Sequence, residues 1–328
     1  MISLKSGAKA ALATILLSGC GGWVDTRAER REAAAEAAYP PEGEFVDVGG
    51  GRQVHAVVRG SGPDLVLIHG ASGNTRDFTL SFADRLTDRY RVIVFDRPGF
   101  GYTDRAAPQY GGAFETRAES PAEQAAMLDK AAEVLGASRP IVLGHSYGGA
   151  VAMAWGLDHD PAALVVVSGV SQPWPGGLGA LYSVNASSVG GATVVPLISA
   201  FAGPAQADRV LRVIFAPQPV PEGYKQDFGV GLSIRRESLR ANARQISSLK
   251  PHVAEMSERY SSIDIPIEIV HGAADRIVPA RIHSIPLSEQ VESARLTLLD
   301  GIGHMPHHVA PDALVDAVDR AARRAGLR

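Results

Sequence analysis

A rhythm of short apolar runs constrains this chain more than any other feature. Residues 65–68, 92–95, 141–143, 164–167, 267–270 and 296–299 are each of strand length and apolar, interrupted only by Glu268 and Thr297. A strand with one wet face alternates polar and apolar residues, whereas a continuous run is buried on both faces, as parallel strands are. Between the runs, residues 75–86, 121–135, 147–157, 279–291 and 311–325 carry apolar residues at three- and four-residue spacing. Pro121, Pro279 and Pro311 stand at starts of these stretches, where a missing N–H costs nothing. Strands alternating with helices specify an α/β fold, with a mostly parallel, doubly wound sheet covered on both sides. Residues 44–48 and 54–59 flank Gly49-Gly50-Gly51 and read as an antiparallel hairpin at one sheet edge. No Gly-Lys-Ser/Thr follows that glycine triplet and no helix opens there, so it is not a phosphate loop.

One interval breaks the rhythm. About ninety residues separate Gly169 from Ile263, too many for a structureless loop in a compact domain. Pro173-Trp174-Pro175-Gly176-Gly177 opens it, and Ile234, Leu239, Ala243, Ile246 and Leu249 mark a helix inside it. The expectation is a helical cap over residues 171–262, inserted into a core of residues 44–170 and 263–328. Trp174, Leu181, Tyr182, Phe201, Phe215, Tyr224 and Phe228 suit the cap to line an apolar pocket. Arg235, Arg236, Arg240 and Arg244 read as a solvated helix face.

The N-terminus has its own logic. Lys5 and Lys9 precede a short apolar stretch at residues 10–17, followed at once by Leu17-Ser18-Gly19-Cys20. That order is a secretory signal, and the apolar stretch is too short for a membrane span. The last four residues look like the lipobox of bacterial lipoproteins, which implies lipidation of Cys20, the single cysteine, and an exported protein held to a membrane of the bacterial envelope. Losing residues 1–19 removes Lys5 and Lys9 and moves the net charge from −3 to −5. Residues 21–43 are polar, alanine-rich and end in Tyr39-Pro40-Pro41; the run 27–38 suits a helix but has no apolar face to bury, so the segment reads as a tether with a transient helix, outside the fold. With a net charge of −3 and no long basic run, a nucleic-acid partner has no electrostatic support. A lone cysteine excludes an internal disulfide and any multi-cysteine metal centre. Oligomeric state is not legible.

The chemistry concentrates at Gly144-His145-Ser146-Tyr147-Gly148, which follows the run at 141–143 and precedes a helix of small residues. A serine on a sharp strand-to-helix turn is lifted off the sheet, and the flanking glycines leave room for that turn. With His69-Gly70-Ala71-Ser72-Gly73, Asp96-Arg97-Pro98-Gly99-Phe100-Gly101, Gly272-Ala273-Ala274-Asp275 and Gly301-Ile302-Gly303-His304 in that order, the chain from about residue 44 onward resembles the α/β-hydrolase family. The resemblance implies Ser146 as nucleophile, His304 as general base and Asp275 as the partner of the histidine. It also implies the backbone N–H groups of Ala71 and Tyr147 as oxyanion donors, and Asp96 to Gly101 as scaffold. Serine at the elbow argues against haloalkane dehalogenases and epoxide hydrolases, which use aspartate there. The expected function is hydrolysis of a small apolar ester or related acyl compound, without cofactor or metal. A perhydrolase of the haloperoxidase type and a carbon–carbon bond hydrolase would use the same three residues. A non-catalytic ligand-binding lipoprotein is the alternative from another class. His145 is expected to pack beneath the turn, and His307 and His308 to mark helix entry at Pro306 rather than a metal site.

Overall fold

The computed structural model describes residues 3–177 and 179–328, with side chains described from Gly21 onward. Cys20, with the lipidation expected there, and the residues before it therefore lie outside the described side chains. Eight strands form one sheet in the order β1-β2-β4-β3-β5-β6-β7-β8. They are β1 (Glu44–Gly49), β2 (Arg52–Arg59), β3 (Asp64–Ile68), β4 (Arg91–Phe95), β5 (Ile141–His145), β6 (Ala163–Val167), β7 (Ile267–Gly272) and β8 (Ala294–Leu299). The hairpin pair β1 and β2 is antiparallel, β2 joins β4 antiparallel, and the pairs from β4 to β8 are parallel. The apolar runs of β3 to β7 have the predicted cause, whereas β8 ends the sheet and is only partly buried. Along β3, Val66 and Ile68 enter the core on one face while Leu65 and Leu67 enter the core on the other.

Helices Pro121–Val134 and Tyr147–Asp158 pack on one face, and Pro311–Arg324 covers the other. Ser120 starts the first of them with a capping box: its hydroxyl accepts from the Glu123 N–H, and the Glu123 carboxylate accepts from the Ser120 N–H. Two expected helices are shorter than their periodicity. Residues 75–86 break into Arg76–Thr79 and a 3-10 turn at Ala83–Arg85. The stretch 279–291 is helical only over Ser284–Gln290, which puts Pro286 in the first turn, where no intrahelical donor is lost.

Between β6 and β7 lie helices Ala180–Ala186, Ser188–Phe201 and Pro204–Phe215, two short turns, and the long helix Arg236–Ser257. The arginines here are not a solvated face. Arg240 and Arg244 are 9% and 1% exposed, and their guanidinium groups donate to carbonyl oxygens of Gly191, Tyr110, Gly112 and Ala113. A guanidinium carries five donors, so buried carbonyls can satisfy it without a carboxylate. The apolar cap residues also divide. Phe215, Tyr224 and Phe228 are buried with Leu211 and Met305, whereas Leu181, Tyr182 and Phe201 face outward.

The tether expected at residues 21–43 is instead a docked helix for most of its length. It belongs to an element spanning Ser3–Ala38, and it packs on the cap through small residues. Ala28 and Ala35 are buried, and a Cβ on Gly231 would lie 2.7 Å from the Ala35 Cβ. Arg27 and Arg31 donate to the Ala200 carbonyl at 2.9 and 3.1 Å. Glu32 accepts from the Arg236 Nε and backbone N at 2.9 and 2.8 Å. Alanines offer little apolar area, so the sequence shows no hydrophobic face. Ion pairs, arginine–carbonyl hydrogen bonds and the Trp23–Phe201 ring contact join it to the cap. Among the described residues, no single helix is long and apolar enough to cross a membrane.

Candidate active site

The end of β5 delivers Ser146 with φ 55° and ψ −116°, a positive φ that costs a residue bearing a Cβ about 1–3 kcal/mol. The neighbourhood holds it there. Its N–H donates to the Val167 carbonyl of β6 at 2.9 Å, and its own carbonyl accepts from Gly149 and Val170 at 3.0 and 3.1 Å. The motif glycines answer close approaches. A Cβ on Gly144 would lie 2.0 Å from the Gly148 oxygen, and one on Gly148 would lie 2.3 Å from the Ile68 oxygen.

Three side chains distant in sequence meet here. His304 Nε2 lies 3.0 Å from Ser146 Oγ, and His304 Nδ1 lies 2.7 Å from Asp275 Oδ2. Ser146 follows β5, Asp275 follows β7 and His304 follows β8, so all three leave the C-terminal edge of the sheet, where open α/β sheets place their sites. They are 8%, 6% and 5% exposed, so the cleft is closed over them. Burial opposes charge on Asp275, but hydrogen bonds from His271 and His304 and from the Val278 amide outweigh it, holding the carboxyl below its ordinary range. An ionised Asp275 accepts the Nδ1–H of His304 and leaves the Nε2 lone pair facing the serine hydroxyl. A hydroxyl so placed can lose its proton as it attacks.

Ala71 and Tyr147 lie on the loop and the helix that meet at Ser146. β3 pairs with β5 through Ile68 and Gly144, and a Cβ on Gly70 would be 3.1 Å from the Ser146 Cβ. The Ala71 loop is pinned from the cap, where Asn242 Oδ1 accepts the Ser72 N–H at 2.9 Å. Below it, His69 Nδ1–H donates to the Gly70 carbonyl at 2.8 Å and its Nε2 accepts the Arg97 N–H at 3.0 Å. Burial, then the neighbouring Arg97 charge, push His69 down to about 4, so it stays neutral. Asp96 is structural, taking hydrogen bonds from the amides of Thr75 and Tyr102 and sharing a 2.7 Å contact with His55 Nδ1.

Several residues around the site make contacts that the sequence did not foretell. Arg97, fully buried, lies between the rings of Phe100 and Tyr147 and donates to Gln124, to Gln245 of the cap and to the Gly70 carbonyl. His271 Nε2 is 3.3 Å from Asp275 Oδ2 and donates to the Val278 carbonyl at 2.7 Å. His145 is buried, as expected, but its Nε2–H also donates to the His304 carbonyl at 2.9 Å. Asp77, from the start of the helix after β3, contacts both His307 and His308. A His-x-x-x-Asp spacing at 271–275 was the one local hint, and it says nothing without the fold.

The chain belongs to the alpha/beta hydrolase family, whose model matches residues 65–317. An uncharacterized protein of Mycobacterium tuberculosis is 27% identical over 302 residues, covering 86% of this chain and 81% of the relative. An esterase from Exiguobacterium antarcticum superposes with a TM-score of 0.66 at 20% identity, covering 84% of this chain and 99% of that one. A bromoperoxidase from Bacillus anthracis does so at 0.63 and 18%, covering 84% and 99%. At these identities the likeness to the two solved structures is one of fold.

Proposed function

We propose that the chain is a serine hydrolase acting on carboxylic esters or related acyl compounds through an acyl-enzyme on Ser146. The observation that carries this reading is the unbroken line from Asp275 Oδ2 through the His304 ring to Ser146 Oγ, with contacts of 2.7 and 3.0 Å. His304 takes the hydroxyl proton as Oγ bonds to the acyl carbon, then passes it to the departing alcohol oxygen. A water that gives a proton to the same imidazole releases the acid and restores the serine. The N–H groups of Ala71 and Tyr147 receive the transient oxyanion, each such donor contributing about 2.7–4 kcal/mol. A fluorophosphonate probe with a panel of p-nitrophenyl esters tests this. Wild type is expected to label and turn over, and Ser146→Ala to do neither. Labelling that survives Ser146→Ala defeats the proposal. Hydrolysis of vinylogous diketones, or peracid formation, in place of ester cleavage would move the reaction class while keeping the nucleophile.

We also propose attachment to a membrane through lipid on Cys20. The leader sequence supports it, together with the outward-facing apolar side chains nearest that end of the chain. Trp23 is 59% exposed and packs on Phe201 at 5.7 Å. Phe201 ends a helix whose exposed face also carries Val189 and Leu197. Wild type is expected in the detergent phase and Cys20→Ser in the aqueous phase of a phase partition. Equal partition of the two would refute it.

A further inference from the structure

Behind the Ser146 line lies a buried cluster that the hydrolysis chemistry does not use. Asp77, His145 and His307 come from the helix after β3, the end of β5 and the turn after β8, and are 3%, 3% and 0% exposed. His307 Nε2 is 3.4 Å and His145 Nδ1 is 4.0 Å from Asp77 Oδ2, and the three potential ligand atoms all lie within 4.8 Å of one another. His145 Nδ1 and both ring nitrogens of His307 lack a hydrogen-bond partner. An unmet buried polar atom costs about 1–3 kcal/mol, so three together call for an explanation.

The surroundings fit a cation. His145 gives its Nε2–H to the His304 carbonyl, which leaves a lone pair on Nδ1. A ligating histidine commonly fixes its tautomer in this way. Asp77 Oδ1 is occupied by the Tyr224 hydroxyl at 2.9 Å and His308 Nε2 at 3.0 Å, so Oδ2 is the oxygen turned to the two imidazoles. Gly70 leaves room at the same place, because a Cβ there would stand 3.1 Å from His145 Nδ1. Two neutral imidazoles and one carboxylate are a borderline donor set that suits Zn²⁺. Tetrahedral bonds of about 2.0–2.1 Å would set ligand atoms about 3.3 Å apart, so the His307–Asp77 pair already stands at that spacing and the His145–Asp77 pair would draw in by about 0.7 Å.

We propose that Asp77 Oδ2, His145 Nδ1 and His307 Nε2 form a site for a divalent transition-metal ion, Zn²⁺ foremost. The ion would brace the turn bearing His304, through His145 on one side and His307 on the other. It would neutralise Asp77 and satisfy His145 Nδ1 and His307 Nε2, two of the three unpartnered nitrogens. Its role is structural: His145 precedes Ser146 in the chain, but none of the three ligand atoms belongs to the Asp275–His304–Ser146 line, and the site holds whether or not Ser146 is the nucleophile.

The test uses the full, tag-free chain in detergent, produced in zinc-supplemented medium, desalted and assayed for metal by mass spectrometry. A second sample is refolded with Co²⁺ and read by visible absorption. Wild type is expected to carry close to one Zn²⁺ per chain and to show the ligand-field bands of bound Co²⁺. Asp77→Asn and His307→Gln are expected to lose at least ten-fold in metal content while keeping the far-ultraviolet circular dichroism of wild type. His252→Gln, away from the cluster, should retain the ion. Wild type with less than a tenth of an ion per chain and no cobalt bands overturns the proposal. So does undiminished metal in either folded variant.

Discussion

Asp275→Asn tests the site at its most constrained atom. Oδ1 of Asp275 accepts the amides of Ile277 and Val278 at 2.8 and 3.0 Å. In the variant the new side-chain oxygen stays there, because an NH₂ facing two N–H donors would repel them. The NH₂ therefore takes the place of Oδ2, 2.7 Å from His304 Nδ1, and it is a donor where the carboxylate was an acceptor. His304 answers by carrying its proton on Nε2, the nitrogen that must accept from Ser146. A histidine locked in that tautomer cannot act as base, and the equivalent change in a serine protease lowers turnover about 10⁴-fold. That is about 5.4 kcal/mol at about 1.36 kcal/mol per decade. The side-chain volume hardly changes, so the fold should persist. The assay is kcat/KM on the best p-nitrophenyl ester, with thermal unfolding and circular dichroism as controls. A folded Asp275→Asn within about ten-fold of wild type would refute this account of the carboxylate.

His69, held neutral down to about 4 in the fold, titrates near 6.5 when unfolded. The unfolded chain takes the proton first as pH falls, so stability is complete above about pH 6.5 and declines from there to about pH 4. His283, also pushed down to about 4 by burial, behaves alike, and each should cost about 2 kcal/mol between pH 6.5 and pH 5. Urea unfolding of wild type and His69→Gln measures one share, and superimposable pH profiles would count against it. Gly148→Ala should destabilise by about 1–3 kcal/mol through overpacking against the Ile68 carbonyl. Gly177→Ala, with nothing within 4 Å of a new Cβ, should be near neutral in the same urea assay. Arg236→Ala removes the partner of Glu32, Asp25 and Glu29, so trypsin should cut at Arg27 to Arg31 several-fold faster. An unchanged cutting rate would show that the helix is held by other contacts.

The sheet was legible because burial on both faces writes itself as runs without alternation, and each of the strands begins or ends within a few residues of its apolar run. The residues meeting at Ser146 were legible because each follows such a run in a glycine-marked turn. What could not be read was pairing across long separations. Asp77 in a stretch that looked helical gives no sign of two histidines about 70 and 230 positions away, and His271 becomes meaningful only once the turn after β7 folds Asp275 back over it. The docked N-terminal helix failed for another reason. Its inward face is Ala28, Glu32 and Ala35, small and charged, and a hydrophobicity pattern registers neither a close helix contact nor a half-buried ion pair.

That docked helix carries mechanical weight. Glu32 grips Arg236 at the first turn of the long cap helix, and the same rigid rod presents Asn242 to the Ser72 amide, one residue from Ala71. A pull applied at residue 21 therefore runs along two helices and one amide into the loop beside Ser146. The end of the chain proposed to carry the lipid is thus joined by a short run of contacts to the loop beside Ser146.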